Sequence, residues 1–181
     1  MRPDDVRTSK RLSYVLRHRP DSVGLTLDAH GWVAVDDLLA ALAAAGSPLA
    51  RADLDRVVGT NDKQRFEVDR AGDRIRARQG HSVEVDLALT PADPPPVLFH
   101  GTPARNLPSV LATGLDRRGR HHVHLSGDVD TARRVGRRRG DAVVLEVDAG
   151  AMVGAGATFW RTGNGVWLTD RVPPEHLSVH P

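Results

Sequence analysis

The chain has 181 residues, 40% hydrophobic and 27% charged, with a formal charge of +2, which is ordinary for a soluble globular protein of one large or two small domains. It contains no cysteine, which excludes disulfides, thiolate metal sites and cysteine nucleophiles and agrees with a cytoplasmic location. Apolar runs are too short for a membrane span, and the polar N-terminus predicts no signal peptide.

The cations are almost all arginines, and they cluster at 7–19, 74–78, 117–120 and 133–139. A guanidinium can bind phosphate through two hydrogen bonds and can stack on bases, so the clusters indicate a polyanionic partner. Arginine also replaces lysine in proteins from GC-rich genomes. Composition therefore supports a nucleic-acid partner only weakly.

Residues 5–19 predict an amphipathic helix that ends before Pro20. Its apolar stripe is formed by Leu12, Val15 and Leu16. A neighbouring face is basic and includes an aromatic ring, because the following residues recur at steps of three or four with Arg17 beside them: Arg7, Arg11, Tyr14 and His18.

Short strands are predicted at 24–27 and 31–35, followed by a helix over 37–45 that Asp36 caps and a second helix from Pro48 to about Gly59. Residues 64–69 and 73–78 alternate as a basic hairpin. Helices followed by such a hairpin are typical of a winged helix-turn-helix, a module that often binds nucleic acid. A winged helix that binds protein has the same pattern.

Residues 81–96 predict a linker with a short strand at 83–87, because prolines at 91, 94, 95 and 96 cannot join a sheet. A buried strand at 97–100 follows and places His100 beside Gly101, where a ligand can approach the backbone. Thr102 is predicted to cap the next helix, with Pro103 in its first position. That helix ends at Gly114.

The strand predicted from Arg120 to Ser126 alternates between two faces. Val123 and Leu125 point to the core, while the polar face holds His122, His124 and Ser126. Arg120 adds a permanent cation suited to a phosphate. A surface strand with solvated histidines is the alternative interpretation.

The remaining pattern predicts a strand-rich α+β domain. A helix begins at Asp128 or Asp130 with Ala132 and Val135 inward, and its arginines form a solvated face. A central strand at 143–147 and a hairpin across 159–169 complete the domain.

Seven motifs, in chain order, closely resemble the RNA (tRNA) 2′-phosphotransferases. They are Leu-Ser-Tyr-Val-Leu-Arg-His at 12–18, Gly-Trp-Val at 31–33, Asn-Asp-Lys-Gln-Arg-Phe at 61–66, Gln-Gly-His-Ser at 79–82, His-Gly-Thr at 100–102, His-Val-His-Leu-Ser at 122–126 and Gly-Val-Trp-Leu-Thr at 165–169. The resemblance implies an α+β protein with a winged-helix RNA-binding lobe at 1–80, a linker at 81–96 and an ADP-ribosyltransferase-like, NAD-binding lobe at 97–181.

The resemblance also implies the reaction and its partners. An internal RNA 2′-phosphate attacks NAD and expels nicotinamide, which leaves RNA-2′-phospho-ADP-ribose. Transesterification then releases 2′-OH RNA and ADP-ribose 1″,2″-cyclic phosphate. NAD is consumed as co-substrate, no metal takes part, and the protein is expected to act as a monomer on RNA.

Four residues correspond to the family's catalytic tetrad: Arg17, His18, Arg65 and Arg120. The arginines suit a phosphate dianion, and His18 suits a general acid for the departing RNA 2′-oxygen. By the same resemblance, the NAD site is lined by His100, Gly101, Thr102, His124, Ser126 and Val166. Val166 replaces the glutamate of many ADP-ribosyltransferases, and an anionic nucleophile needs no such base.

Two other functions stay open at this stage. One is ADP-ribosylation of terminal nucleic-acid phosphates or of protein, and the other is a non-enzymatic winged-helix RNA-binding protein. The sequence leaves three roles open. His81 either contacts phosphate or packs at the junction of the lobes, His121 is an extra imidazole that solvent can surround, and the run 137–139 contacts either RNA or nothing.

Overall fold

The computed structural model describes residues 2–61 and 63–181, except for the side chain of Arg139. Asp62 of the 61–66 motif lies outside these residues. The chain divides into two compact units, Met1–Ala88 and Leu89–Pro181. Helices and strands are mixed in both units, which confirms the α+β class. Within the described ranges, no helix is both long enough and apolar enough to cross a membrane.

Three helices and three short strands build the first unit. The helices are α1 (Pro3–Arg17), α2 (Val35–Ala44) and α3 (Arg51–Gly59), and the strands are β1 (Val33–Ala34), β2 (Phe66–Asp69) and β3 (Arg74–Ala77). The strands form an antiparallel sheet in the order β1-β3-β2. The hairpin predicted across 64–78 is therefore confirmed.

The core of the first unit lies between the helices and this sheet. The predicted stripe of α1, Leu12, Val15 and Leu16, is buried to 1% exposure or less and packs with Phe66 and Ile75 of the hairpin. Because this face of α1 is fixed against the core, its opposite face is held in a defined orientation toward solvent.

Several local predictions for the first unit were wrong. Residues 24–27 form no strand, because a short 3₁₀ turn at Pro20–Val23 accepts the Leu25 N–H instead. Helix α2 begins at Val35, so Asp36 lies inside its first turn, and α3 begins three residues after Pro48. Residues 83–87 form no strand either.

The second unit is rich in strands, with α-helices between some of them. The strands are β4 (Val97–Pro103), β5 (Leu115–Asp116), β6 (Val123–Leu125), β7 (Ala142–Asp148), β8 (Phe159–Arg161), β9 (Trp167–Thr169), β10 (Arg171–Val172) and β11 (Leu177–Val179). The helices are α4 (Leu107–Thr113), α5 (Val129–Gly136) and α6 (Ala149–Gly154). The antiparallel sheets have the orders β11-β7-β4, β6-β9-β8 and β10-β5, so β7 is central as predicted.

Four predictions for this unit need correction. Strand β4 continues through Pro103, so Thr102 is a buried strand residue and caps no helix. Strand β6 has three residues, and Arg120 lies in the turn before it. Helix α5 is capped by Asp128, but Val135 is 41% exposed instead of facing the core. Val166 lies one residue before β9.

Helix α5 packs on β4 through two glycines. A Cβ on Gly101 would lie 1.8 Å from the carbonyl oxygen of Ala132, and one on Gly136 would lie 3.0 Å from the carbonyl carbon of Gly101. Backbone therefore meets backbone at this crossing. The space beside Gly101 that the sequence suggested for a ligand is filled by the helix.

Candidate functional site

The C-terminal end of α1 carries Arg17 and His18. The residue Ser82 is tied to this end, because its N–H donates to the Arg17 carbonyl at 2.9 Å. Its hydroxyl oxygen then lies 2.9 Å from Nδ1 of His18. A hydrogen bond at Nδ1 fixes the ring orientation and directs Nε2 away from Ser82, as is common for histidines that exchange protons.

Arg65 directly precedes β2, and its side chain extends to α1. Its Nη1 donates to Oδ1 of Asn61 at 3.2 Å and approaches the hydroxyl of Ser9 at 3.4 Å. Asn61 in turn donates from Nδ2 to Ser9 at 2.9 Å. Both polar partners are almost fully buried, at 3% and 1% exposure. Because buried side chains have few alternative positions, this pair restrains the guanidinium.

In the second unit, β4 and β6 bring three of the predicted NAD-site residues together. Phe99 and Ser126 exchange two backbone hydrogen bonds of 2.9 and 2.8 Å, which places Ser126 beside His100. Nδ1 of His100 lies 3.0 Å from the carbonyl oxygen of His124. A carbonyl only accepts, so this nitrogen carries the proton and Nε2 is left as an acceptor.

Burial lowers the pKa of His100 below its usual value, the hydrogen bond to the His124 carbonyl opposes that shift, and the nearby charge of Arg120 adds to it. The ring is therefore neutral at physiological pH. A neutral imidazole with a free acceptor nitrogen suits a hydroxyl donor such as a ribose.

Arg120 and His124 are adjacent. Nδ1 of His124 lies 3.4 Å from Nη1 of Arg120 and 3.1 Å from the carbonyl oxygen of His122. The guanidinium only donates and the carbonyl only accepts. Nδ1 of His124 therefore accepts from Arg120 when it carries no proton, or donates to the His122 carbonyl when it carries one. The shorter distance favours the carbonyl.

The other predicted NAD-site residues occupy different surroundings. Thr102 is 4% exposed on the same face of β4 as His100, and Gly101 lies under α5. Extending the register of β6 and β9 by one residue sets Val166 opposite Ser126. Among the catalytic predictions, Arg17, His18 and Arg65 belong to the first unit and Arg120 to the second.

Some residues at these sites escaped the sequence-based list. Ser9 gave no signal beyond being polar, and Asn61 was noted only as part of the 61–66 motif, because a buried polar side chain cannot be told from a solvated one in a sequence. His122, which the sequence placed on the polar face of the predicted strand, has its ring against Trp160 with centroids 4.9 Å apart, and burial lowers the pKa of His122. His81 is 2% exposed beside Gly31.

Guanidinium groups lie beside imidazoles in both units, and such groups suit a protein that binds phosphate. The family model for "RNA 2′-phosphotransferase, Tpt1 / KptA family" matches residues 3–171. The chain therefore belongs to the RNA 2′-phosphotransferase family, as its motifs predicted.

Relatives support this over almost the whole chain. A protein of Trichormus variabilis named probable RNA 2′-phosphotransferase is 55% identical over 174 residues, which covers 96% of each chain. A protein of Streptomyces coelicolor with the same name is 56% identical over 172 residues, 95% of this chain and 93% of its own. The match therefore includes both units.

Proposed function

We propose that this protein is an NAD-dependent RNA 2′-phosphotransferase that removes an internal 2′-phosphate from RNA. In this proposal the first unit is a winged-helix RNA-binding lobe, and the second is an ADP-ribosyltransferase-like lobe that binds NAD. The single observation that carries the proposal is the match to the family across residues 3–171. We propose that the active form is a monomer.

Binding of the 2′-phosphate is assigned first to Arg17 and Arg65. Two guanidiniums can neutralise a phosphate dianion and orient it through paired hydrogen bonds. Arg65 is held by the buried Asn61–Ser9 pair, so its side chain loses little conformational entropy when the phosphate binds. Arg120 is assigned as a further cation for the charge that accumulates in the transition state.

In the first step, a phosphate oxygen forms a bond to the ribose C1″ of NAD as the bond to nicotinamide breaks. The nucleophile is already an anion, so no side chain has to remove a proton from it. This agrees with Val166 at the position where many ADP-ribosyltransferases carry glutamate. The arginines position the oxygen and contribute nothing covalent.

The second step needs a proton. The ribose 2″-hydroxyl attacks phosphorus and loses its proton to solvent as the bond from phosphorus to the RNA 2′-oxygen breaks. That oxygen would be a poor leaving group as an alkoxide, so it has to be protonated. His18 is the member of the set able to donate that proton near neutral pH. Its hydrogen-bond distance to Ser82 supports this role, because a contact at Nδ1 fixes the orientation of the imidazole ring.

NAD is a substrate here, and the residues of the second unit fit it. Nε2 of His100 can accept from a ribose hydroxyl. Ser126, which also carries a hydroxyl, directly follows β6 and is bridged to Phe99, the residue before His100. Gly101 and Thr102 are assigned a supporting role, because helix packing and burial occupy their surroundings.

The direct test incubates the protein with NAD and an oligonucleotide that carries one internal 2′-phosphate. Mass spectrometry should detect nicotinamide, ADP-ribose 1″,2″-cyclic phosphate and RNA lighter by one phosphate. Arg17→Ala should abolish these products. Arg19→Ala is the matched control, because this exposed neighbour pairs with Asp21 and lies outside the assigned set.

Other products would identify another reaction. RNA that keeps the ADP-ribose, with no cyclic phosphate over long incubation, would mean that the protein is an ADP-ribosyltransferase that stops after the first step. Binding of RNA without release of nicotinamide would contradict the enzymatic proposal altogether.

A further inference from the structure

The exposed aromatic ring of Tyr14 has no role in the assignments above. The chain has three phenylalanines, three tryptophans and one tyrosine, and the structure describes all of them. Among these described rings the others are buried or half-buried, whereas Tyr14 is 49% exposed. Because the opposite face of α1 is locked into the core, the ring is presented to solvent from a rigid element.

The surroundings of Tyr14 are basic. Arg7, Lys10 and Arg11 are exposed on the preceding turns of α1, and His18 follows one turn later. The rings of Tyr14 and His18 have centroids 6.4 Å apart and planes tilted by 55°, so they do not stack on each other. An aromatic ring beside cations is the arrangement that binds single-stranded nucleic acids, with stacking on bases and charge on the backbone.

We infer that Tyr14 stacks on the nucleobase of the nucleotide that carries the 2′-phosphate. This inference rests on the proposed function. In a nucleotide the base is attached to C1′ and the 2′-phosphate to the adjacent carbon C2′. A phosphate held at Arg17 and His18 therefore keeps its own base within about one helical turn, which is the separation of Tyr14 from His18.

This contact specifies a class of substrate. A base that stacks on the protein has to leave the stack of an RNA duplex, so the 2′-phosphate must lie in a loop, bulge or other unpaired segment. Every base has a π face, so the contact selects unpaired nucleotides without selecting their sequence.

The test measures RNA affinity without NAD, so that no turnover occurs. Fluorescence anisotropy gives the Kd of a single-stranded oligonucleotide with one internal 2′-phosphate for wild type, Tyr14→Ala and Tyr14→Phe. We expect Tyr14→Ala to weaken binding by roughly 5- to 150-fold, the range that stacking of one base is worth. Tyr14→Phe keeps the π face and should bind like wild type. Val6→Ala is the control, because it removes another exposed apolar side chain of α1.

A second oligonucleotide lacks the base at the phosphorylated nucleotide. Wild type should bind it as weakly as Tyr14→Ala binds the complete RNA, and Tyr14→Ala should lose nothing further, which is the coupling expected of two groups in contact. In addition, 2-aminopurine at that nucleotide should be quenched by wild type and not by Tyr14→Ala.

Three outcomes would overturn the inference. An equal loss of affinity by Tyr14→Ala for the abasic RNA and for the complete one would give Tyr14 only a packing role beside His18. Coupling to a flanking base would mean that another nucleotide occupies the ring. Unchanged RNA affinity of Tyr14→Ala would mean that the ring does not contact RNA, and a protein partner would then be the alternative. None depends on turnover, so failure of the proposed enzymatic function appears separately, as wild type that binds this RNA but releases no nicotinamide when NAD is added.

Discussion

Replacements of Asn61 should show separately how activity depends on the position of the Arg65 side chain and on the availability of its charge. Oδ1 of Asn61 accepts from Arg65 at 3.2 Å and from the Lys63 N–H at 3.1 Å, and its Nδ2 donates to Ser9 at 2.9 Å. Asn61→Asp keeps the size and both acceptor bonds. It also places a carboxylate beside the guanidinium, where it competes with the phosphate for the same cation.

The variants Asn61→Ala and Asn61→Asp are expected to rank in opposite orders for stability and for activity. In Asn61→Ala, buried groups lose their partner, which typically costs about 1–3 kcal/mol of unfolding free energy. In Asn61→Asp a hydrogen bond between neutral and charged groups becomes an ion pair, so the unfolding free energy should fall less. Activity should show the reverse order, with Asn61→Asp at least about tenfold slower than Asn61→Ala because Arg65 is sequestered.

The assay compares urea unfolding, followed by circular dichroism, with the rate of 2′-phosphate removal from the single-stranded oligonucleotide. Thr60→Ala is the matched control, since its exposed hydroxyl bonds only to the Arg56 carbonyl among the contacts described. Turnover of Asn61→Asp close to wild type would refute the reasoning, because it would show that Arg65 does not have to bind the phosphate.

Four further outcomes are expected. Arg120→Ala should lower turnover by roughly a hundredfold, as for other preorganised charge-stabilising donors, and Arg120→Lys should restore little in the same assay because the planar fork is lost. His18→Ala should accumulate RNA-2′-phospho-ADP-ribose, seen as a slower-migrating band of end-labelled RNA, because only the second step needs its proton. The pKa of His100 in the folded protein lies below its unfolded value of 6.5. The folded protein therefore keeps its full stability above that pH and loses stability as the pH falls toward the folded pKa. The free energy of urea unfolding of His100→Asn should depend less on pH in this window. Gly101→Ala should lose at least the roughly 1–3 kcal/mol typical of overpacking in urea unfolding, whereas Gly154→Ala, with open space around it, should not.

The sequence predicted the fold best where periodicity reflects burial. The stripe of α1 and the hairpin of β2 and β3 repeat apolar residues at the spacing of their element, and the central strand β7 is a continuous apolar run. All three were confirmed. Errors came where a local signal competed with tertiary contacts. Thr102 and Pro103 have the chemistry of a helix start, yet pairing with β7 keeps both residues in β4.

The candidate site was predictable only as a set of charged and imidazole groups. Arg65 and His18 could be selected from motifs, and Asn61 belongs to the same motif as Arg65. The partners that hold Asn61 and His18, which are Ser9 and the Ser82 hydroxyl, lie far from them in the sequence. Sequence spacing does not show which small polar residues meet across 52 or 64 positions. Such contacts depend on tertiary packing, so the structure was needed to find them.

Gly101 shows why a motif residue needs a structural explanation before a functional one. The glycine sits between His100 and Thr102 in a motif that the family resemblance links to NAD, and a ligand contact is the natural interpretation. In the folded chain its missing side chain admits the Ala132 carbonyl of α5 at 1.8 Å from the position of a Cβ. The packing demand is sufficient to require glycine by itself. A Gly101 variant that loses NAD binding therefore reports on the α5–β4 contact first, and only variants of His100 or Ser126 can test the NAD contact directly.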